Sequence, residues 1–280
     1  MVEYLLPKQN VAGSNPVSRS INLREIAAER IMNILLTGGS GMVGSFITPY
    51  LLKDNNVKVF DLTPPENQEV DFIQGSMLNP NDIKEALKDV EIFVNVTMKS
   101  PQGGSETTQS IKEITENYEL NTRGLHLFLF HAQEMGVLKG VHTSTMSVHY
   151  RERDFFNAEE EIPLDTPSVY GLTKGFGELI CSYFARWFDM NILALRITGP
   201  RTAQKWDEET TKMGNGLMDR RLWITHEEDL ANAYLAGMDY VSTGHGRFES
   251  IFIAGDPNEN EHNLTKAKHL LNWTPRSIGI

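Results

Sequence analysis

The chain has 280 residues, a formal net charge of -11 and an isoelectric point near 5.2. This length accommodates one α/β domain with a small appendage, and the acidic balance disfavours unspecific binding to nucleic acid or to an anionic membrane surface. A lone cysteine, Cys181, excludes an internal disulfide framework, and neither a signal-peptide pattern nor an apolar run of about eighteen residues is present, so the sequence predicts a cytoplasmic protein.

Residues 1–31 precede the first regular pattern of the chain and have the composition of a loop. The segment from Gly13 to Pro16 is the peptide that the T-arm of a transfer RNA gene encodes in one reading frame. We therefore interpret residues 1–31 as an extension, which is either a genuine flexible arm or the product of a mis-assigned start.

A strand, a glycine turn and a helix start follow one another in residues 33–46. The glycines satisfy G-x-G-x-x-G or T-G-x-x-G-x-x-G, depending on whether Gly39 or Gly38 is counted together with Gly41 and Gly44. In either register they turn the chain and let its backbone approach a pyrophosphate at the helix N-terminus. The pattern predicts a dinucleotide-binding site.

A second strand pattern, at 57–62, carries Asp61 near its end. An acid at this position of a dinucleotide-binding fold takes both hydroxyls of the adenosine ribose, and its charge repels a 2′-phosphate. Asp61 therefore predicts NAD as the cofactor.

Strand and helix patterns alternate along the rest of the chain, which predicts an α/β fold with a doubly wound parallel sheet of the Rossmann type. A polar stretch at 97–110 with Pro101 predicts a mobile loop. We expect an NAD-binding domain at 32–198 and a small substrate-binding region at 199–280, of which the segment 223–255 returns to the Rossmann core. The other strands are predicted at 34–37, 71–74, 91–96, 140–144 and 191–196. Residues 47–53 complete the helix that starts after the glycine turn, and further helices are predicted at 79–89, 113–136 and 168–189.

Tyr170 and Lys174 open the predicted helix at 168–189, and their spacing of four residues places both side chains on the same helix face. An ammonium group held close to a phenol favours the phenolate and lowers the phenol pKa from its ordinary value near 10. Tyr170 can then remove a proton from a substrate hydroxyl while the adjacent carbon gives hydride to the cofactor. Thr145, directly after the fifth strand, is expected beside the same cavity, where it can hydrogen-bond the substrate oxygen.

The ordered set of motifs resembles the extended short-chain dehydrogenase/reductases of the NAD-dependent epimerase/dehydratase family. The resemblance covers essentially all of the chain from Met32 to Pro275. The motifs are TGGSGMVG, Asp61, Asn121 in ENYELNTRGLHLFLFHA, HTSTMSVHY, YGLTK, LRITGP, WITHEEDLANA and AKHLLNWTP.

The resemblance implies that Thr145, Tyr170 and Lys174 form a catalytic triad and that Asn121 supports the site. It also implies a homodimer in which two long helices of each subunit pair, for which 125–130 and 179–188 supply apolar surface, although a protein core can use that surface equally well. The residues expected to bind NAD are Gly38, Gly41, Met42, Val43, Gly44, Asp61, Asn121, Tyr170 and Lys174.

The substrate is expected to be a sugar, either free or linked to a nucleotide. Few residues separate Pro200 from Gly214, which leaves little chain for a diphosphate clamp, and the short C-terminal part also resembles uronate dehydrogenases. Epimerases and dehydratases keep the hydride, whereas a uronate-type dehydrogenase releases NADH, and the same triad serves both reactions. A dinucleotide-sensing protein without turnover is the alternative of another class, against which the retained tyrosine and lysine argue.

No metal site is predicted. The eight histidines show no close ligand pairing, and His142 and His149 are interpreted as isolated residues on a strand end and a loop.

Overall fold

The computed structural model describes residues 31–99, 107, 109–217 and 223–277. The chain from Met32 onward forms one compact unit. Apart from Ile31, the predicted extension lies outside the described residues, as does most of the loop predicted at 97–110.

The centre of the structure is a seven-stranded parallel sheet with the strand order β3-β2-β1-β4-β5-β6-β9. The order reverses at β1, so the carboxyl ends of β1 and β4 diverge and leave a crevice, which is where ligands bind in open α/β sheets. Two short strands, β7 and β8, pair separately from this sheet. The strands are β1 Asn33–Thr37, β2 Asn56–Asp61, β3 Asp71–Gln74, β4 Ile92–Asn95, β5 Lys139–Thr145, β6 Asn191–Ile197, β7 Pro200–Arg201, β8 Thr225–His226 and β9 Arg247–Ile253.

Helices cover both faces of the sheet. In β1 the side chains of Ile34 and Leu36 join the core beneath α1 and α7, whereas Leu35 joins the core beneath α2, α4 and α5. Burial of both faces explains why β1, β4 and β6 contain continuous apolar runs, at 34–36, 92–94 and 192–195, rather than alternating ones. The helices are α1 Met42–Leu51, α2 Pro80–Ala86, α3 Ile111–Asn117, a π-helix Tyr118–Gly124, α4 Leu125–Glu134, a 3₁₀-helix Met146–Val148, α5 Val169–Phe188, α6 Ala203–Gly214, α7 Glu227–Ser242 and α8 Thr265–Leu271.

The predicted α/β fold with a Rossmann-type parallel sheet is confirmed. The helix predicted at 113–136 consists of α3, the π-helix and α4 in succession. Arg247–Ile253 is a strand that the sequence patterns do not predict. It pairs with β6 at the sheet edge, and its first four residues are only half-buried. Because this strand of the later chain belongs to the main sheet, the division at residues 198 and 199 stays a prediction. None of the described helices is both long and apolar enough to cross a membrane.

Candidate active site

In the glycine turn after β1, neighbouring backbone atoms occupy the space that a side chain on Gly38 or Gly44 would need. Gly38 has a positive φ of 75°, and a Cβ there would lie 2.7 Å from the Thr97 backbone. A Cβ on Gly44 would lie 2.5 Å from the backbone of Gly39, so only glycine lets α1 pack this closely on the turn. Gly41 caps α1 without a side-chain hydrogen bond, which leaves the helix N-terminus facing the cleft.

A cleft of about 330 Å³ opens between this turn and the ends of β2, β3 and β4. The Asp61 carboxylate stands on its wall, where it accepts hydrogen bonds from the backbone N–H groups of Ser40 (3.1 Å) and Leu62 (2.7 Å). Of the residues predicted to bind the cofactor, the cleft is lined by Gly38, Gly41, Met42, Val43 and Asp61. The narrow turn, the open helix N-terminus and the carboxylate on the cleft wall fit the adenosine and pyrophosphate of a dinucleotide.

Thr145 and Tyr170 meet at the carboxyl end of β5. Ser168 caps α5 by accepting a hydrogen bond from the N–H of Gly171 at 3.0 Å. A Cβ on Gly171 would collide with the Ser147 carbonyl oxygen, so glycine lets the first turn of α5 lie directly against the segment that follows β5. This contact brings the phenol of Tyr170 beside the Thr145 side chain.

The electrostatics of Tyr170 differ from the sequence-based expectation. Burial raises the pKa of Tyr170 to about 12, and a hydrogen bond with Thr145 opposes the rise only in part. The expectation that Lys174 lowers this pKa is wrong for this arrangement, because the Lys174 amine lies 3.4 Å from His142 Nε2, against β5. Burial also lowers the pKa of Lys174 to about 8.

Met98 stands between the cleft and Tyr170. Its side chain lines the cleft, and its sulfur accepts a hydrogen bond from the Tyr170 hydroxyl at 3.2 Å. No sequence motif contains Met98. Its position three residues after β4, at the carboxyl edge of the sheet beside the point where the strand order reverses, is the signal that indicates it.

Asn121 lies in the π-helix, a rare element that is often found at functional sites. Its amide accepts a hydrogen bond from the backbone N–H of Lys99 (2.8 Å) and donates to the Thr173 hydroxyl (3.1 Å). Asn121 thereby ties the segment after β4 to α5. It lies beside the predicted triad rather than among the residues that line the cleft.

The two histidines interpreted as isolated have partners. His142 is buried and contacts Lys174, and His149 is buried and lies 3.2 Å from an Arg196 nitrogen. That arginine forms a buried bidentate ion pair with Glu178, one helical turn after Lys174. Both histidines therefore have polar neighbours from segments distant in sequence, on α5 for His142 and on β6 for His149. The described residues contain no group of three or more His, Cys, Asp and Glu side chains that could hold a metal ion.

Comparison with known proteins agrees with this arrangement. The model of the family described as NAD dependent epimerase/dehydratase matches residues 34–247. A 3-beta-hydroxysteroid dehydrogenase of Mycolicibacterium neoaurum is 28% identical over 152 residues, which are 52% of this chain and 41% of that protein. A putative UDP-glucose 4-epimerase of Methanocaldococcus jannaschii is 26% identical over 170 residues, which are 58% and 54% of the two chains. The chain thus spans about half the length of these curated relatives.

A solved structure with a similar fold is that of a mutated uronate dehydrogenase. It superposes with a TM-score of 0.70 at 19% sequence identity, and the superposition covers 89% of this chain and 82% of that one. At this identity the similarity concerns the fold alone.

Proposed function

This chain belongs to the NAD-dependent epimerase/dehydratase family, and from that membership we propose that it is an NAD-dependent enzyme that oxidises a carbinol carbon of a sugar or nucleotide sugar. The observation that carries the proposal is the pairing of Tyr170 with Thr145 at the carboxyl edge of the sheet, adjacent through Met98 to a cleft that has the shape and charge for a dinucleotide. Bound NAD supplies the hydride acceptor.

The residues of the chain have separate tasks in this proposal. The glycine turn and the N-terminus of α1 hold the pyrophosphate, and Asp61 holds the adenosine ribose. Thr145 orients the substrate hydroxyl, and Tyr170 takes its proton. Because burial holds the Tyr170 pKa near 12, this transfer needs a positive charge close to the phenol. Lys174, one turn along the same helix, is proposed to supply it after its amine has left His142.

Met98 has to release the Tyr170 hydroxyl before a substrate oxygen can take its place. The methionine side chain is unbranched and has three rotatable bonds, so this displacement needs no backbone movement. The thioether also keeps the phenol out of water until then. We therefore propose that the Met98 side chain separates the cofactor cleft from the proton-transfer site and moves aside when the substrate binds.

A uronate-type dehydrogenase that releases NADH is the second candidate. It is favoured by the state of Arg201 and Arg276, two basic side chains after residue 199 that are already ion-paired. Arg201 pairs with Glu209 at 2.9 Å, and Arg276 pairs with Asp229 at 3.0 Å. A nucleotide diphosphate that needs both guanidinium groups would have to displace two ion pairs, whereas the single carboxylate of a uronate would have to displace only one.

The experiment that tests the proposal is a panel of substrates assayed with NAD. The panel contains free uronates, UDP-glucose, UDP-glucuronate and, because a curated relative carries that name, a 3-beta-hydroxysteroid. NADH absorbance that accumulates with a free uronate supports the dehydrogenase, and an epimerised or dehydrated product without net NADH supports the epimerase or dehydratase. NAD binding without turnover of any carbinol would support the dinucleotide-sensing alternative and contradict the proposal.

Replacement of Asp61 by Asn is expected to reduce the preference for NAD over NADP by at least ~10-fold. The change keeps the size of the side chain but removes the charge that repels a 2′-phosphate. The ratio of the two dissociation constants, measured by calorimetry, checks this. Asp71→Asn is the matched control, since it removes the same charge from an exposed position on the neighbouring strand β3, and it is expected to leave the ratio unchanged. An equal ratio in Asp61→Asn and the native chain would contradict the role of Asp61.

We further propose that the protein is a homodimer formed through one face of α5. Large apolar side chains recur on this face every three or four residues although they are exposed, and Leu179 and Trp187 are 60% and 65% exposed. A face of this kind on a helix indicates an interaction surface. Light scattering is expected to give the mass of a dimer for the native chain and of a monomer for Leu179→Lys, whereas Leu270→Lys on α8 keeps the dimer. The residues of the face are Leu172, Phe176, Leu179, Tyr183 and Trp187.

A further inference from the structure

A chain of buried polar side chains leads from the glycine turn to Lys174. Thr37 at the end of β1 donates a hydrogen bond from its hydroxyl to Asn95 Oδ1 at 2.7 Å. Asn95 Nδ2 lies 3.2 Å from His142 Nδ1, and His142 Nε2 lies 3.4 Å from Lys174 Nζ. All four side chains are at least 99% buried. Their hydrogen-bonding groups are shielded from bulk solvent, so partners within the protein have to satisfy them.

The direction of these hydrogen bonds is fixed by a backbone group. The N–H of Thr97 can only donate, and it lies 3.0 Å from the oxygen of the Asn95 amide. The orientation of Asn95 follows, so its NH₂ group faces His142 and donates to Nδ1. A neutral imidazole that accepts at Nδ1 carries its proton on Nε2. His142 therefore presents an N–H group to Lys174.

An N–H group on His142 has a consequence for the lysine. An ammonium group is a donor only, so it cannot pair with a second donor, whereas a neutral amine has a lone pair that accepts. We infer that His142 is a positioning residue whose tautomer is set by Asn95 and which holds the Lys174 side chain against β5 as a neutral amine. This inference rests on the proposed function only in that it treats Lys174 as part of the catalytic site.

The surroundings of both groups agree with this state. Burial lowers the pKa of His142 well below its ordinary value, so the imidazole is neutral. Burial lowers the pKa of Lys174 to about 8, and an N–H group that faces the amine favours its neutral form further. The nearest carboxylate, that of Glu178, is held by Arg196, and the other titratable group near the amine is the Cys181 thiol. Burial raises the pKa of Cys181, so this thiol is uncharged at neutral pH.

Close packing holds His142 in place between the sheet and α5. A Cβ on Gly177 would lie 3.3 Å from His142 Nε2, so the helix leaves only the space that the imidazole fills. A lysine held in this way does not activate the phenol. To carry a positive charge, the Lys174 amine has to move away from His142 toward hydrogen-bond acceptors. Activation of Tyr170 therefore requires this movement of the Lys174 side chain.

The first test measures the tautomer of His142 in the full native chain, without substrate or dinucleotide. Two-bond proton–nitrogen correlation spectra of protein labelled with ¹⁵N in histidine distinguish the two tautomers, and the His142 signals are assigned by their loss in His142→Gln. We expect the proton on Nε2. A proton on Nδ1 would overturn the inference.

The second test changes the tautomer through Asn95. In Asn95→Asp one oxygen keeps the bonds to Thr37 and Thr97, and the other accepts from His142 Nδ1, so Nε2 becomes an acceptor for an ammonium group. The pKa of Lys174, measured by ¹³C titration of labelled lysine, is then expected to rise by at least ~1. An unchanged pKa in this variant would overturn the inference, and if the variant does not fold, the native tautomer alone decides.

Thr37→Val is the matched control. It removes one hydrogen bond from the same network but leaves the Thr97 N–H on Asn95, so the His142 tautomer and the Lys174 pKa are expected to stay as in the native chain. If Asn95 only stabilised the fold, Asn95→Asp and Thr37→Val would change the Lys174 pKa to the same extent. These measurements use neither substrate nor NAD. A result that contradicts the predicted tautomer therefore does not contradict the proposed oxidoreductase activity. Conversely, a lack of activity on the substrate panel does not contradict the predicted tautomer.

Discussion

Replacement of Tyr170 by Phe is expected to lower turnover by about 10²- to 10⁴-fold, which is the usual contribution of a positioned acid–base group. The change removes only the hydroxyl that accepts the substrate proton. The glycine turn and Asp61 are untouched, so the dissociation constant of NAD is expected to stay within about threefold of the native value. Steady-state kinetics on the substrate found in the panel and calorimetric titration with NAD measure the two quantities separately.

Tyr234→Phe is the matched control for this prediction. Tyr234 is a second buried phenol, and its hydroxyl lies 2.5 Å from the Thr143 hydroxyl. Loss of that hydrogen bond is expected to cost about 1 kcal/mol of unfolding free energy while turnover stays nearly unchanged. If Tyr170→Phe retained native turnover, Tyr170 would not be the acid–base group, and if both variants lost turnover alike, the loss would reflect packing instead of proton transfer.

The parts of the fold that the sequence predicts are those determined by local pattern. β1, β4 and β6 contain short apolar runs, at 34–36, 92–94 and 192–195, and each run is apolar throughout because helices cover both faces of the sheet. The glycine turn is predictable for a similar reason, since no residue with a Cβ fits at Gly44. Arg247–Ile253 lies at the sheet edge, where half-burial weakens the apolar pattern, and this explains why it was not assigned as a strand.

The parts of the site that the sequence does not predict depend on contacts between distant segments. The Asn95 amide is fixed by Thr37 and Thr97, and it lies against His142 from the next strand. The spacing of four residues predicts that Lys174 lies near Tyr170, but it does not predict that the Lys174 amine points toward β5. The direction of the Tyr170 pKa shift follows from burial by the whole fold, a quantity that no local pattern contains.

Replacement of Arg196 by Met is expected to lower the free energy of unfolding by about 3–5 kcal/mol. The guanidinium group binds both oxygens of the Glu178 carboxylate, at 2.9 and 2.7 Å, and both side chains are about 95% buried. Without Arg196 the carboxylate remains buried with the Ser144 hydroxyl as its remaining donor at 2.5 Å. An uncompensated buried charge of this kind is among the most destabilising single changes in a protein. Chemical denaturation monitored by tryptophan fluorescence measures the loss.

Two variants separate the buried charge from other effects of the substitution. Arg201→Met breaks a similar pair with Glu209, whose side chains are 28% and 21% exposed, and it is expected to cost only about 0–1 kcal/mol because solvent screens that pair. In Arg196→Met combined with Glu178→Met the buried charge is gone, so the double variant should be more stable than Arg196→Met alone. Equal stability of the two would mean that the loss comes from packing.

The ion pair of Arg196 with Glu178 also aligns α5 with the end of β5, because Glu178 lies one turn after Lys174 and Ser144 directly precedes Thr145. Turnover should therefore fall in Arg196→Met and recover in part in the double variant.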